Sequence, residues 1–313
     1  MKNSKVLVTG GAGFIGSNLV RKLLLDNNEV VVLDNLSSGF LDNFNYLKDV
    51  KFINGDIRNL KDVKDAIDGV EVVFHLAASV GNKRSIDFPI LDSEINILGT
   101  INILDQCVKN GVRKIITSSS AGIYGELKTI PIKEDHSIEP DSPYGCSKLC
   151  TEKMSLSYSK LYDLESICLR YFNVYGPNQR FDAYGNVIPI FVYKMLQKEP
   201  LIVFGDGNQT RDFIHVDDVV QANINSANSR GISGAFNIAS GQRVSINQLI
   251  SLISANYDKD IIIDYLNSRP GDVLHSLADI SQARKYINFN PLVSLEKGIS
   301  EYVNWAKSFY LNH

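Results

Sequence analysis

The chain has 313 residues, 44% of them hydrophobic and 21% charged, which suits one or two globular units and excludes a disordered or fibrous protein. A formal net charge of −3 excludes the basic footprint of a nucleic-acid or anionic-membrane binder, so a polyanionic ligand has to be met by local groups. No apolar run approaches the ~20 residues of a membrane span, and residues 1–5 lead straight into an apolar strand pattern, so a cytoplasmic protein is expected.

Taken in chain order, Val6-Leu7-Val8 is a short apolar run, followed by glycines and by Phe14, Ile15, Leu19, Val20, Leu23 and Leu24 at helical spacing. Strand, tight turn and helix are the reading. The next apolar run, residues 30–33, ends at Asp34. Runs at 51–53, 72–74 and 114–116 alternate with helical stretches around 61–68 and 90–109, which implies parallel strands joined by crossover helices. The expected fold class is therefore α/β, a Rossmann-type doubly wound parallel sheet. From about residue 174 the pattern loosens into Gly-rich turns, with helices near 189–197, 245–256 and 293–309. We expect a cofactor domain over 1–173, with elements near 212–238 returning to it, and a smaller α/β substrate domain over 174–313. The four cysteines, Cys107, Cys146, Cys150 and Cys168, include no Cys-x-x-Cys pair and are expected to be reduced structural thiols. The histidines form no H-x-x-x-H cluster, so no metal role is expected.

Glycines at 10, 13 and 16 follow the first strand and open an amphipathic helix. Such a turn allows close backbone approach to a pyrophosphate and aims helix N-terminal amides at its charge. Asp34, ending the second strand, can accept from both adenosine ribose hydroxyls and would repel a 2′-phosphate, which favours NAD over NADP. Downstream, Tyr144 and Lys148 stand four residues apart in Ser-Pro-Tyr-Gly-Cys-Ser-Lys. If Pro143 starts a helix, the two share a face and their polar ends can meet beside a bound cofactor. A phenol titrating near ~10 becomes a usable base only where positive charge stabilises its phenolate, and lysine and an oxidised nicotinamide are two such charges.

These residues resemble the extended short-chain dehydrogenases/reductases, and within them the nucleotide-sugar 4-epimerases of the UDP-glucose/UDP-N-acetylglucosamine type. The likeness covers essentially the whole chain. It rests on the glycine turn, Asp34-Asn35, Gly55-Asp56-Ile57-Arg58, His75-Leu76-Ala77-Ala78, Asn96 before Gly99-Thr100, Ser118-Ser119-Ser120, the Tyr-x-x-x-Lys pair, Tyr171-Phe172-Asn173-Val174-Tyr175-Gly176-Pro177, Arg211-Asp212-Phe213-Ile214-His215-Val216-Asp217-Asp218 and Arg269-Pro270-Gly271-Asp272. The resemblance implies a cofactor site of Gly10, Gly13, Phe14, Ile15, Gly16, Asp34, Asn35, Ser38, Gly39, Asp56, Ile57, Leu76, Ala77, Ala78, Asn96, Ser118, Tyr144, Lys148, Tyr171 and Val174. Within it, Asp56 and Ile57 would hold adenine, Ala77 and Ala78 would line the phosphates, and Lys148 would bond the nicotinamide ribose.

The same resemblance implies the chemistry. Tyr144 would take the sugar 4-hydroxyl proton as hydride leaves C4 for NAD, Ser120 would bond the same oxygen, and return of hydride to the opposite face would invert C4. Related dehydratases place an acid pair just after the serine or threonine and related decarboxylases a glutamate in this segment. This chain has Ala121-Gly122 there, which leaves epimerisation. Other NAD-dependent nucleotide-sugar enzymes of the family and a catalytically silent NAD-binding sensor remain as alternatives, the latter expected to have lost the serine, tyrosine or lysine. Substrate contacts are implied for Ser120, Asn173, Asn186, Val187, Val203, Phe204, Arg211, Arg269, Asp272 and Ser276, although Phe204 could equally be core and His215 reads as a packed histidine. A homodimer through the helices near 90–109 and 145–160 is implied, with no nucleic-acid or membrane partner. Ser276 falls where hexose-restricted members carry a bulky tyrosine beside C2, which leaves room for an N-acetyl arm, while Asn186 matches the hexose-type enzymes.

Overall fold

The computed structural model describes residues 1–43, 49–182, 185–257, 261–268 and 274–311. Elements follow in the order β1 Lys5–Thr9, α1 Phe14–Leu25, β2 Glu29–Asp34, β3 Val50–Asn54, α2 Leu60–Ile67, β4 Val72–His75, α3 Asn82–Asp87, α4 Pro89–Ser93, α5 Gly99–Lys109, β5 Lys114–Ser120, α6 Pro143–Leu161 and β6 Glu165–Tyr171. The remainder runs β7 Asn173–Tyr175, α7 Val187–Gln197, β8 Leu201–Phe204, β9 Thr210–Arg211, β10 Phe213–His215, α8 Val216–Asn228, β11 Gly234–Ile238, β12 Val244–Ser245, α9 Ile246–Ser254, β13 Ile263–Leu266, α10 Ser281–Ile287 and α11 Leu295–Leu311.

Among the described residues, seven strands form one parallel sheet in the order β11-β6-β5-β4-β1-β2-β3. Period-2 alternation covers both of its faces. Val6, Val8, Val30, Val32, Phe74 and Ile116 pack to one side with Leu19, Val20 and Leu23 of α1 and Val219 and Val220 of α8. Leu7, Val31, Leu33, Val73 and Ile115 pack to the other with Val63 of α2 and Ile103 and Leu104 of α5. A sheet buried on both faces explains the continuous Val/Ile/Leu runs, and it is the Rossmann-type doubly wound architecture expected from the sequence. A third core, with Val192 and Met195 of α7, Leu249 and Ile253 of α9 and Tyr302 and Val303 of α11, closes the chain's second half over short two-stranded sheets. No helix of the described residues is long and apolar enough to cross a membrane.

The helical stretch expected over 90–109 is interrupted. α4 passes into a π-turn at 94–98 before α5 begins. The wide turn leaves the Asn96 carbonyl to accept from Thr100 Oγ1 (2.6 Å) and from Thr151 Oγ1 of α6 (2.9 Å), which fastens this helix to the one carrying Tyr144. α6 starts at Pro143, with Ser142 Oγ capping it by accepting from the Gly145 amide at 3.1 Å.

Candidate active site

Parallel strands on either side of β1 leave in different directions, so the loops after β1, β2, β4 and β5 open a crevice at their carboxyl ends. A cavity of about 1170 Å³ fills it and continues between the sheet and the third core. Gly10 turns the chain out of β1 with φ +69°, and a Cβ there would lie 2.7 Å from the Ala77 amide nitrogen. A Cβ on Gly16 would overlap the Gly10 carbonyl oxygen and come within 2.8 Å of Gly11 Cα, so α1 can meet the turn this closely only with glycine. Gly13 caps α1 without a side-chain hydrogen bond, which leaves the first-turn amides of Phe14 and Ile15 for a ligand. This cradle fits the pyrophosphate of the dinucleotide expected from the sequence.

Asp34 closes the same end. Its Oδ2 accepts from the Ala12 amide (2.9 Å) and its Oδ1 from the Leu36 amide (2.8 Å). Burial outweighs these two donors and holds the carboxyl above its ordinary range. Each oxygen retains a lone pair, a pattern suited to ribose hydroxyls rather than to a second anion. Asn35 and Asp56 are joined at 2.8 Å, and Arg58 forks onto Asp56 at 2.7 and 3.0 Å. The Arg58 guanidinium is the main reason that Asp56 titrates down at about 2.

Most of the cofactor residues expected from the sequence line this cavity: Gly10, Gly13, Phe14, Ile15, Gly16, Asp34, Asn35, Ser38, Asp56, Ile57, Leu76, Ala77, Ala78, Ser118, Tyr144, Lys148, Tyr171 and Val174. Two stand elsewhere. Gly39 packs behind it against Ala12 and Asp34. Asn96 is one layer back, where its side chain accepts from the Ser79 amide (2.8 Å) and donates to Ser79 O, Asp92 Oδ1 and Ser147 Oγ. Its place is to shape the loop after β4, since every polar atom of its side chain is occupied by the protein.

The reactive end lies where β5 meets α6. Ser120 Oγ accepts from the Gly122 amide at 3.1 Å and lies on the side of the Tyr144 phenol, whose ionised form it favours. Burial pushes the phenol up to about 12, against the Ser120 hydroxyl, and the buried Asp92 carboxylate pushes it further up. Burial pulls the Lys148 ammonium down to about 8 and the Asp92 charge opposes this. Tyr144 and Lys148 both face the cavity, as a shared helix face requires. Lys148 Nζ donates to Ser118 O (2.7 Å) and Ser118 Oγ (3.1 Å), and no hydrogen bond joins it to Tyr144. By Coulomb's law the base needs a cation in the cavity beyond what the protein's own contacts supply, because a buried phenol with a carboxylate nearby keeps its proton. Beneath them, Ser119 Oγ donates to Glu152 Oε2 (2.8 Å), and Glu152 pairs with Arg170 at 2.7 Å, both nearly fully buried, which ties β5, α6 and β6 into one floor.

Of the residues expected on the substrate side, Ser120, Asn173, Asn186, Arg211 and Ser276 line the cavity. Val203 is 1% exposed in the third core, Val187 packs against that core, and Phe204 ends β8 beside it without lining the cavity. The alternation that places Leu201 and Val203 inward accounts for this. Arg269 and Asp272 lie outside the described residues. His215 is buried and accepts the Asp217 amide on Nδ1. His215, Asp217 and Glu301 have ligand-type atoms within 4.8 Å of one another, but none of the three lines the cavity. Sequence reasoning missed three sets of residues. Residues 79–84 line the cavity, and their place directly after β4 was an available signal. Residues 178–182 line it too. Ser85 Oγ holds the Tyr144 amide at 3.0 Å, a contact that no spacing reveals.

Residues 6–239 match the model of the NAD-dependent epimerase/dehydratase family. The chain is 42% identical over 306 residues to a putative UDP-glucose 4-epimerase of Methanocaldococcus jannaschii, covering 97% of this chain and 98% of that one. Among solved structures it superposes with a TM-score of 0.94 and 39% identity on a UDP-N-acetylglucosamine 4-epimerase from Methanobrevibacter ruminantium in complex with UDP-N-acetylmuramic acid, covering 99% and 100% of the two chains. A UDP-glucose 4-epimerase with UDP-glucose from Thermotoga maritima gives a TM-score of 0.91 and 38% identity, with 97% and 99% covered.

Proposed function

The chain belongs to the NAD-dependent epimerase/dehydratase family and is an NAD-dependent epimerase, and we propose that it inverts C4 of a UDP-hexose through a transient 4-keto sugar. The observation that carries this reading is that Ser120, Tyr144 and Lys148 stand together on the wall of the cavity that begins at the glycine turn, with Ala121 and Gly122 where an eliminating enzyme would need acids. NAD, when bound, accepts the C4 hydride and returns it, and its oxidised ring supplies positive charge. Tyr144 takes the proton of the sugar 4-hydroxyl and gives it back, and Ser120 holds that oxygen through both halves. Lys148, whose Nζ is anchored on Ser118, is assigned to the nicotinamide ribose on the resemblance. Because the hydride returns to the opposite face, net redox change is zero and the cofactor stays with the protein.

The substrate's nucleotide end is assigned to the second half of the chain, residues 174–313, with Arg211, and Asn173 just before its boundary, offering donors to the diphosphate. Arg269 and Asp272 are proposed for the same end on the resemblance alone. We also propose a homodimer through α4, α5 and α6, supported by Ile90, Leu98 and Leu161 standing 74%, 56% and 70% exposed on or beside those helices. Sedimentation over a range of concentrations tests it, and a concentration-independent monomer counts against it. The activity test is direct: protein purified without added cofactor is assayed for bound NAD and for interconversion of UDP-glucose/galactose and UDP-N-acetylglucosamine/galactosamine. Absence of turnover for both pairs, or equal activity when the stripped protein is refilled with NADP, defeats the reading.

A further inference from the structure

Residues 178–182 all line the cavity and are anchored on two parts of the molecule. The even-numbered side chains reach the cofactor elements. Asn178 Nδ2 donates to Ser17 Oγ of α1 at 3.0 Å. The Arg180 guanidinium lies 3.4 Å from the centre of the Phe40 ring in the loop after β2 and 4.5 Å from that of Phe309 of α11, and Asp182 pairs with Arg84 of α3. The odd-numbered residues are held by hydroxyls of α11. Tyr302 Oη donates to Gln179 O at 2.7 Å, and the Phe181 amide donates to Tyr310 Oη at 2.6 Å. Tyr193 of α7 stacks on the Phe181 ring at 4.2 Å and meets Tyr310 edge-on.

The segment's backbone has local bonds at its two ends, Gln179 N to Gly176 O (3.2 Å) and Gly185 N to Asp182 O (2.8 Å), and the two bonds that reach it from another element both come from one helix more than 120 residues further along the chain. We propose that Tyr302 and Tyr310 are positioning residues for the substrate: they hold the backbone of 178–182 so that its other edge stays docked on the cofactor elements and the sugar side of the cavity keeps its shape. The segment is thus a strap whose order on the substrate side depends on α11 rather than on the sheet. Neither tyrosine lines the cavity, so they act through residues 178–182 and not on the substrate. The proposal rests on the reading of this cavity as the nucleotide-sugar site.

The test uses holoenzyme variants Tyr310→Phe and Tyr302→Phe, each keeping its ring and losing one strap bond. Bound NAD, Tm, kcat and KM for the UDP-sugar are measured for both and for the parent. The expected result is a KM raised about tenfold in each variant, with kcat within about twofold and NAD content unchanged. A merely structural role would lower Tm, kcat and NAD content together, and that outcome overturns the proposal, as does an unchanged KM in both variants. A parent that turns over no UDP-sugar overturns the functional reading and the proposal with it. An active parent with unaltered variants overturns the strap alone.

Discussion

The cofactor end and the substrate end of the cavity are built by different means. At the cofactor end the protein contacts are backbone and short side chains at strand termini, with the glycine turn, the uncapped first turn of α1 and Asp34 all fixed by a sheet buried on both faces. At the end proposed for the substrate, Arg211, Asn186, Ser276 and residues 178–182 come from loops and two-residue strands, and 178–182 are held by side chains from a helix far off in sequence. A site defined by backbone shape tolerates little change and gives one ligand. One defined by long side chains on loops can be retuned residue by residue while the fold stays put.

The largest expected effect falls where the two ends meet. Tyr144→Phe removes the proton acceptor while leaving the ring packed, so turnover should fall by about two orders of magnitude or more with bound NAD nearly unchanged. A phenylalanine variant epimerising near the parental rate would remove the base assignment, and loss of NAD along with turnover would show that the two ends are not separable at this residue. Lys148 tests the cofactor end by pH. Its folded pKa is depressed by burial from 10.5 to about 8, so the stability it contributes is present above 10.5 and lost as pH falls through about 8. In cofactor-free protein, Lys148→Met removes that dependence. The variant's Tm relative to the parent should therefore be most favourable near pH 7 and decline toward pH 10.5, by up to about 3 kcal/mol in stability. A difference that stays flat with pH would mean that the ammonium's bonds to Ser118 offset its burial fully.

Gly16→Ala probes the same end by shape alone. Its Cβ would overlap Gly10 O, so α1 or the turn must shift, at roughly 1–3 kcal/mol. Retained NAD after gel filtration should drop well below the parental occupancy while the third core is undisturbed. Full retention would show that the turn has room the geometry denies it.

The same contrast decides what could be read from sequence. Gly10, Gly13, Gly16, Asp34, Asp56, Ala77 and Ala78 announce themselves because strand ends and glycines are local patterns, and a doubly wound sheet converts them into neighbours. Val203 misled, because a four-residue apolar strand does not say which of its faces meets the cavity. Asn96 misled differently, since a polar residue in a matched motif can serve the loop that serves the ligand. The i,i+4 spacing placed Tyr144 and Lys148 on one face but could not name a partner, so the two acceptors that Ser118 offers the ammonium were not legible. Residues 178–182 were invisible as a strap because their anchors, Tyr302 and Tyr310, lie beyond any local pattern.

The smallest expected effect concerns which sugar the substrate end prefers, and it sharpens the contrast most. Ser276 is buried, lines the cavity, and has its amide fixed on Thr210 O at 3.1 Å, so its side chain projects from a held backbone. By resemblance this is where hexose-restricted members carry tyrosine, and the difference in volume is that of a phenol ring against a hydroxymethyl. A small residue permits an N-acetyl arm, whereas Asn186, also on the cavity wall, bears on preference, and one altered contact of that kind is worth only ~1–3 kcal/mol. Both UDP-hexose pairs should therefore be accepted by the parent, the N-acetylated pair at least as efficiently. Ser276→Tyr should lower kcat/KM for the N-acetylated pair by about tenfold or more and leave the glucose/galactose pair nearly unchanged, with bound NAD unaltered because Gly16 and Asp34 stand at the other end. The two kcat/KM ratios measured side by side decide it: a parent that rejects the N-acetylated pair, or a tyrosine variant that turns it over undiminished, removes Ser276 from the determinants of specificity.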